Sequence, residues 1–322
     1  VLLNLAGGTC VEDIDRLEDD AGLRRIMVYT RYIHLSRRER RRREREWFKA
    51  EKRGEHRRAF PSASSVFRYL ERFHHQETET LREQALDNGR KAFIVPETTG
   101  HQSLWQVVRD QLAFLYKHAH VDSTATLDID ATCVATHKST ANCCYKGFVA
   151  YQPLNVYWHE LGVIPYSEFR DGNVPANYAL LPVFERALAQ LPEGVDGVKM
   201  RSDSAGYCWE LLRYCAEGKN EQFGCIDFAV SADVTEALKT AIAELSDNDW
   251  LPLIRVLPDQ TIVTGQEYAE VVYVPNAIGH KKDGPTSRFI VTREKIAQLE
   301  LPGVENTSQL ELPFPSMDIC NK

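Results

Sequence analysis

No stretch of the 322-residue sequence approaches the ~18 consecutive apolar residues that a membrane-crossing helix requires. The opening Val1-Leu2-Leu3-Asn4-Leu5-Ala6 lacks the length and positive charge of a secretory signal. A valine stands where an initiator methionine belongs, so the chain is expected to be an internal fragment, clipped at the front. The eight cysteines form no C-x-x-C pair and no regular spacing, which argues against a disulfide framework. The vicinal Cys143-Cys144 pair could bind metal or respond to redox, but small buried thiols are common. A reducing, cytoplasmic setting is the expectation. Internal repeats and low-complexity tracts are missing as well, apart from one arginine run. What is present is ordinary for a globular chain: 43% hydrophobic and 26% charged residues. At ~150 residues per domain, the length suggests about two domains.

The net charge of -7 conceals an asymmetry. Between Arg31 and Arg58 stand 13 Lys/Arg against 5 Asp/Glu, leaving +8 there and -15 elsewhere. The densest part reads Arg37-Arg38-Glu39-Arg40-Arg41-Arg42-Arg43-Glu44-Arg45. A run of this kind is either a solvated helix face or a surface for phosphate, where each neutralised charge releases counterions. A basic segment on an acidic body suits an enzyme that grips nucleic acid and keeps carboxylates for metal.

Up to about residue 120 the pattern is helical. Ile14, Leu17, Ala21, Leu23 and Ile26 recur at helical spacing over Glu12–Tyr29. Pro61-Ser62-Ala63-Ser64-Ser65 supplies a break and hydroxyl caps, after which Val66, Phe67, Leu70 and Phe73 line one face. Two readings stay open: a helix-turn-helix-like DNA reader, or a small helical bundle. His101 to His118 reads as a helix burying Leu104, Val107, Val108, Leu112 and Leu115.

From Ser123 the text alternates between strands and helices, which describes an α/β core. Strands are expected at Thr124–Asp130, Tyr151–Trp158, Gly162–Tyr166, Val198–Asp203 and Cys225–Val230. Helices are expected at Asn177–Gln190 and Trp209–Glu217. Beyond Trp250 hairpin material follows at Leu253–Val256, Tyr268–Val274 and Arg288–Thr292. A loop is expected over Gly279–Pro285, and extended chain over Leu310–Pro315.

Two acidic strand ends dominate the chemistry. Asp128 and Asp130, two apart, share one face of a strand. Asp203 ends another strand. Carboxylates on neighbouring strand ends can share Mg²⁺ or Mn²⁺, hard ions that prefer carboxylate, water and phosphate oxygens. Such ions support in-line phosphoryl displacement. Taken singly, each Asp could merely cap a turn. Asp128-Ile129-Asp130-Ala131-Thr132 also has the D-x-D-x-T shape of haloacid-dehalogenase-type phosphatases, with Asp128 as nucleophile and Asp130 as general acid. That chemistry needs a later acidic pair which Asp203-Ser204-Ala205-Gly206-Tyr207 does not supply. His118, His120 and His137 lack further ligands at zinc spacing.

Several segments occur in a telling order: Asn4-Leu5-Ala6-Gly7-Gly8, Asp13-Ile14-Asp15-Arg16-Leu17, Pro61-Ser62-Ala63-Ser64-Ser65-Val66, Leu127-Asp128-Ile129-Asp130-Ala131-Thr132, Gly172-Asn173-Val174 and Arg201-Ser202-Asp203-Ser204-Ala205-Gly206-Tyr207. Together they resemble a DDE-type insertion-sequence transposase of the thirteen-eighty type, in the IS-four-like group. The resemblance implies a ribonuclease H-like mixed sheet flanked by helices, an α+β fold. A helical DNA-binding region would span 1–120, the first part of the catalytic core 121–230, and a β-rich insertion 231–322.

Carried over residue by residue, the first acid falls on Asp130, with Asp128 the near alternative, and the second on Asp203. Asp130 and Asp203 would hold Mg²⁺ or Mn²⁺. The third acid should be a Glu on a late helix with Tyr, Arg and Lys around it. Glu267, Glu270, Glu294 and Glu300 lie in strand-like or loop-like text without those surroundings, so the third acid is expected beyond Lys322. The resemblance also implies double-stranded DNA as partner (terminal inverted repeats and target), a homodimer on paired ends, and a bacterial, nucleoid-associated setting without membrane. Arg38, Arg40, Arg41, Arg42, Arg43, Ser64, Ser65 and Arg68 are the candidate DNA contacts, and Lys199 and Arg201 weaker ones. A degenerate, DNA-binding descendant of such an enzyme is the further alternative.

Overall fold

The computed structural model describes residues 8–55, 57–73, 75–87, 93–138, 141–257, 259–275, 287–294 and 317–320. The loop expected at Gly279–Pro285, the extended Leu310–Pro315, Glu300 and Asn4–Gly7 lie outside the described residues. Contacts divide the chain into two compact units, Val1–Leu81 and Arg82–Lys322. No helix among the described residues is long and apolar enough to cross a membrane.

The first unit is helical: α1 (Ile14–Asp19), α2 (Ala21–Arg31), α3 (Arg37–Lys52), α4 (Ala63–Glu71) and the start of α5 (Gln76–Asp87). The single helix expected over Glu12–Tyr29 is broken at Asp20, whose extended backbone lets its carboxylate accept from the Leu23 amide at 2.8 Å. An aspartate that caps a new helix gains more there than inside an old one. Ser36 and Ser62 cap α3 and α4 in the same way. Ile14, Leu17, Val28, Trp47, Ala59 and Phe60 form the core. Glu18 fixes the Ala59-Phe60 segment by accepting from both amides, at 3.1 and 2.8 Å.

Residues 53–62 join α3 to α4, a connection longer than the 3–4-residue turn of a helix-turn-helix, whereas α4 and α5 are separated only by residues 72–75, a spacing that such a motif allows. The apolar face expected on α4 is largely open: Phe67 and Leu70 are exposed, while Val66 packs against the small core beside Ala63.

The second unit is built on a nine-stranded sheet. Its strands are β1 (Thr124–Ala131), β5 (Leu154–Trp158), β6 (Val163–Glu168), β7 (Gly197–Ser202), β8 (Asp227–Ser231), β9 (Leu251–Leu257), β10 (Gln260–Val271), β11 (Arg288–Glu294) and β12 (Met317–Cys320). A separate small sheet holds β2 (Val134–Ala135), β3 (Asn142–Cys143) and β4 (Val149–Tyr151). The large sheet runs β6-β5-β1-β7-β8-β12-β11-β10-β9. β6, β5 and β1 are antiparallel neighbours, whereas β1, β7 and β8 run parallel. This five-stranded mixed arrangement, flanked by helices, is ribonuclease H-like. The hairpin strands β9–β12 continue the same sheet beyond β8.

The strand expected over Tyr151–Trp158 is in fact two. Pro153 offers no amide to a ladder, and Gln152 turns away to donate to the Arg170 carbonyl at 2.9 Å. The helix expected from Asn177 begins only at Leu180, as α7 (Leu180–Leu188). Ala179 before it stands in the left-handed region at φ 46°. Arg170, buried and paired with Glu168, holds that turn by donating to the carbonyls of Tyr178 and Ala179.

One face of the sheet is the core. Leu127, Ile129, Leu154, Val156, Trp158, Met200, Phe228 and Val230 meet Leu180, Val183, Phe184, Ala187 and Leu188 of α7 and Leu211, Leu212 and Cys215 of α8 (Trp209–Ala216). Each large side chain so buried contributes ~1.5–3 kcal/mol, before entropy is counted. α6 (Thr99–His118) joins this core through Leu112 and through Tyr116 stacked on Trp158. Its expected buried stripe is narrower than read: Leu104, Val107 and Leu115 are exposed. α9 (Glu236–Ala243), unanticipated inside a β-rich stretch, packs through Leu238.

Candidate active site

The site grows out of the alternation of β1. Ala125, Leu127 and Ile129 point into the core, which forces Thr126, Asp128 and Asp130 onto the opposite, accessible face. β7 repeats the logic. Val198 and Met200 are buried, so Lys199 and Arg201 face outward, and Asp203 follows just past the strand end. The parallel register pairs Asp128 with Arg201 and Ile129 with Ser202. Asp130 and Asp203 are therefore each one residue beyond the last paired position, on strands about 4.8 Å apart. Asp128, Ile129, Asp130, Arg201, Ser202, Asp203 and Ala229 line one open depression of about 400 Å³.

Local bonds hold this corner in place. Ser202 Oγ donates to the Ile129 carbonyl at 2.9 Å, tying the end of β7 to β1. Asp203 caps a short 3₁₀ turn, Ser204–Gly206, accepting from the Ala205 amide at 2.9 Å. The turn must carry glycine at 206, because a Cβ there would stand 2.3 Å from Ser202 Cβ. Tyr207 then packs against the core, and burial pushes its phenol up to about 12, so it stays protonated.

The three aspartates are not equivalent. Both oxygens of Asp128 accept from Arg201, at 2.5 and 2.7 Å, in a bidentate pair. The bonded carboxylate in turn raises the Arg201 pKa. Asp130 accepts only from Thr132 Oγ1 at 3.5 Å, and Asp203 only from the Ala205 amide, among the described residues. Each keeps an oxygen for something else. Sequence reasoning missed the Asp128–Arg201 pair. Its members are 73 positions apart, and only the register of β1 on β7 joins them.

Two exposed carboxylates and no thiol or imidazole in the lining make a hard oxygen donor set, which fits Mg²⁺ or Mn²⁺ with water completing the shell. No group of three or more His, Cys, Asp or Glu side chains suited to a metal occurs among the described residues. Glu267 and Glu270 sit on β10 in ion pairs with Arg293 and Arg288, and Glu294 ends β11. The other candidates lie in the helical unit. Arg38, Arg41, Arg42 and Arg43 are exposed on α3, while Arg40 is half-buried with its guanidinium over the Tyr29 ring. On α4, Ser64 and Arg68 are exposed and Ser65 shares a hydroxyl bond with Ser62.

Residues 1–293 match the family described as transposase DDE domain, group 1. No curated protein matches the chain.

Proposed function

Because the chain belongs to the transposase DDE domain group 1 family, we propose that it nicks DNA at the ends of a mobile element and joins the freed ends to a target. Asp130 and Asp203 are its metal ligands. The observation that carries this reading is the pair of available carboxylates at adjoining parallel strand ends, lining one open depression of a ribonuclease H-like sheet.

In this reading Asp130 and Asp203 would hold a divalent cation, each offering the carboxylate oxygens left open among the described residues. Such a cation supplies an activated water and stabilises the oxygens of an in-line displacement. Arg201 neutralises Asp128, so the depression carries two net negative charges rather than three. Lys199, exposed on the same face two residues before Arg201, is placed to meet a neighbouring phosphate. Ser202 and the 204–206 turn fix Asp203 relative to β1 and let it bind without reorganising. The D-x-D-x-T phosphatase reading is disfavoured, since its nucleophile, Asp128, has both oxygens engaged by Arg201.

The test is nicking of a supercoiled plasmid carrying the element's ends, with Mg²⁺ or with EDTA. Wild-type protein nicks only with the metal. Asp130→Ala and Asp203→Ala abolish nicking while duplex binding persists. Cleavage retained by either variant would remove that residue from the mechanism.

A further inference from the structure

We infer that one face of α3, formed by Arg38, Arg41, Arg45, Lys49 and Lys52, is a rail that grips the phosphate backbone of duplex DNA without reading its sequence. Only the choice of DNA as the polyanion rests on the function proposed above; the rail itself rests on geometry.

The arginine run is not uniform once folded. Arg40 reaches Glu44 at 3.9 Å and lies over Tyr29, with 4.4 Å to the ring centroid. Arg42 and Arg43 both reach Glu46, at 3.7 and 4.0 Å. These cations are part-neutralised on the spot. Arg38, Arg41, Arg45, Lys49 and Lys52 are all exposed, and none pairs with a carboxylate among the described residues. At ~100° per residue, their spacing of three, four, four and three places all five within an arc of about 80°. Glu39, Glu44, Glu46 and Glu51 all fall outside it. The buried Trp47 lies on the far side, so the unit's own core fixes which way the rail faces. With a rise of ~1.5 Å per residue the rail is about 21 Å long. Arg25 of α2, also exposed, borders Arg45, Lys49 and Lys52 across a shared groove.

The chemistry selects the partner. A helix that lies in a membrane surface needs an apolar face beside its basic one. Trp47 and Ala50 of α3 are buried within its own unit, and the apolar side chains that border the rail, Ile26, Tyr29 and Phe48, share their groove with Glu44 and Glu51, so they form no continuous apolar face. An unbroken row of cations without carboxylates suits a regular polyanion, and B-form DNA presents a charge per ~1.7 Å of axis. Contacts from such a row to phosphate oxygens fix position but carry no sequence information, and they are what the salt dependence counts.

The experiment measures fluorescence anisotropy of the protein with two unrelated ~25-base-pair duplexes, in EDTA, between 50 and 200 mM salt. Replacing Arg41, Arg45 and Lys49 together by Ala should lower the slope of log K against log salt by about 2.7, at ~0.9 per phosphate contact. Both duplexes should respond equally. Arg42→Ala with Arg43→Ala should change the slope by less than half as much per charge removed. Far-UV circular dichroism confirms that α3 persists, which exposed Arg-to-Ala changes favour. An unchanged slope in the triple variant, or an equal loss per charge in the control pair, overturns the rail. So does triple-variant loss of binding to phosphatidylserine vesicles with DNA binding intact. Because EDTA silences the metal site, failure here leaves the nicking reading standing, and failed nicking with an intact rail leaves the rail standing.

Discussion

Breaking the Asp128–Arg201 pair from its two sides should move metal affinity in opposite directions. With the pair intact the depression holds three carboxylates and one guanidinium. Arg201→Gln leaves three negative charges, and Asp128→Asn leaves a net of one. Asp128 and Asp130 share a strand face two residues apart, so the altered charge sits about 7 Å from a cation held at Asp130. A unit charge acting on a divalent ion at that distance is worth ~1 kcal/mol in a water-like dielectric, or roughly five-fold in Kd. The water-like value is appropriate because the side chains are 45% and 29% exposed.

The assay is Mn²⁺ binding followed by electron paramagnetic resonance at low ionic strength, where screening is weak. Arg201→Gln should bind about five-fold tighter and Asp128→Asn about five-fold weaker. Neither should lose much thermal stability, since exposed ion pairs contribute ~0–1 kcal/mol. Shifts in the same direction, or none, would refute the reasoning. Complete loss in Asp128→Asn would instead make Asp128 a ligand.

Other expectations concern the supports. Gly206→Ala should lower the melting temperature and destabilise by ~1–3 kcal/mol, since its Cβ would collide with Ser202; an unchanged melt contradicts that turn. Ser202→Ala removes one hydrogen bond to Ile129 and should cost about 1 kcal/mol by urea denaturation, with Mn²⁺ affinity falling as well. Trp47→Ala, which empties the largest buried side chain of the helical unit, should cost ~3–5 kcal/mol, read as loss of helical circular dichroism. Burial pushes the Cys215 thiol up to about 12, so at pH 8 it should resist iodoacetamide while the exposed Cys143 and Cys225 react; mass spectrometry of native protein reads this directly.

The strands that carry the acids were legible because period-two alternation is a local signal: Ala125, Leu127 and Ile129 alternate with polar neighbours whatever lies elsewhere in the chain. The order of the motifs also carried the family. What the one-dimensional text could not hold is pairing. Nothing near Asp128 names Arg201, and nothing in the arginine run tells Arg41 from Arg42 before Glu46 is within reach. Helical spacing likewise marked Leu104, Val107 and Leu115 as apolar but could not say that the core meets only the Leu112 side of α6. Asp20 and Ala179 broke or delayed helices through backbone states that periodicity averages away.

The central claim is that Asp130 and Asp203 together hold one divalent cation. Substituting Fe²⁺ and adding ascorbate and peroxide makes the bound ion cut the backbone beside it, and mass spectrometry maps the breaks. Cuts should cluster at the ends of β1 and β7, around residues 128–132 and 202–206, and both clusters should vanish together in Asp130→Asn and in Asp203→Asn. Breaks elsewhere, or one cluster surviving the loss of the other acid, would contradict it.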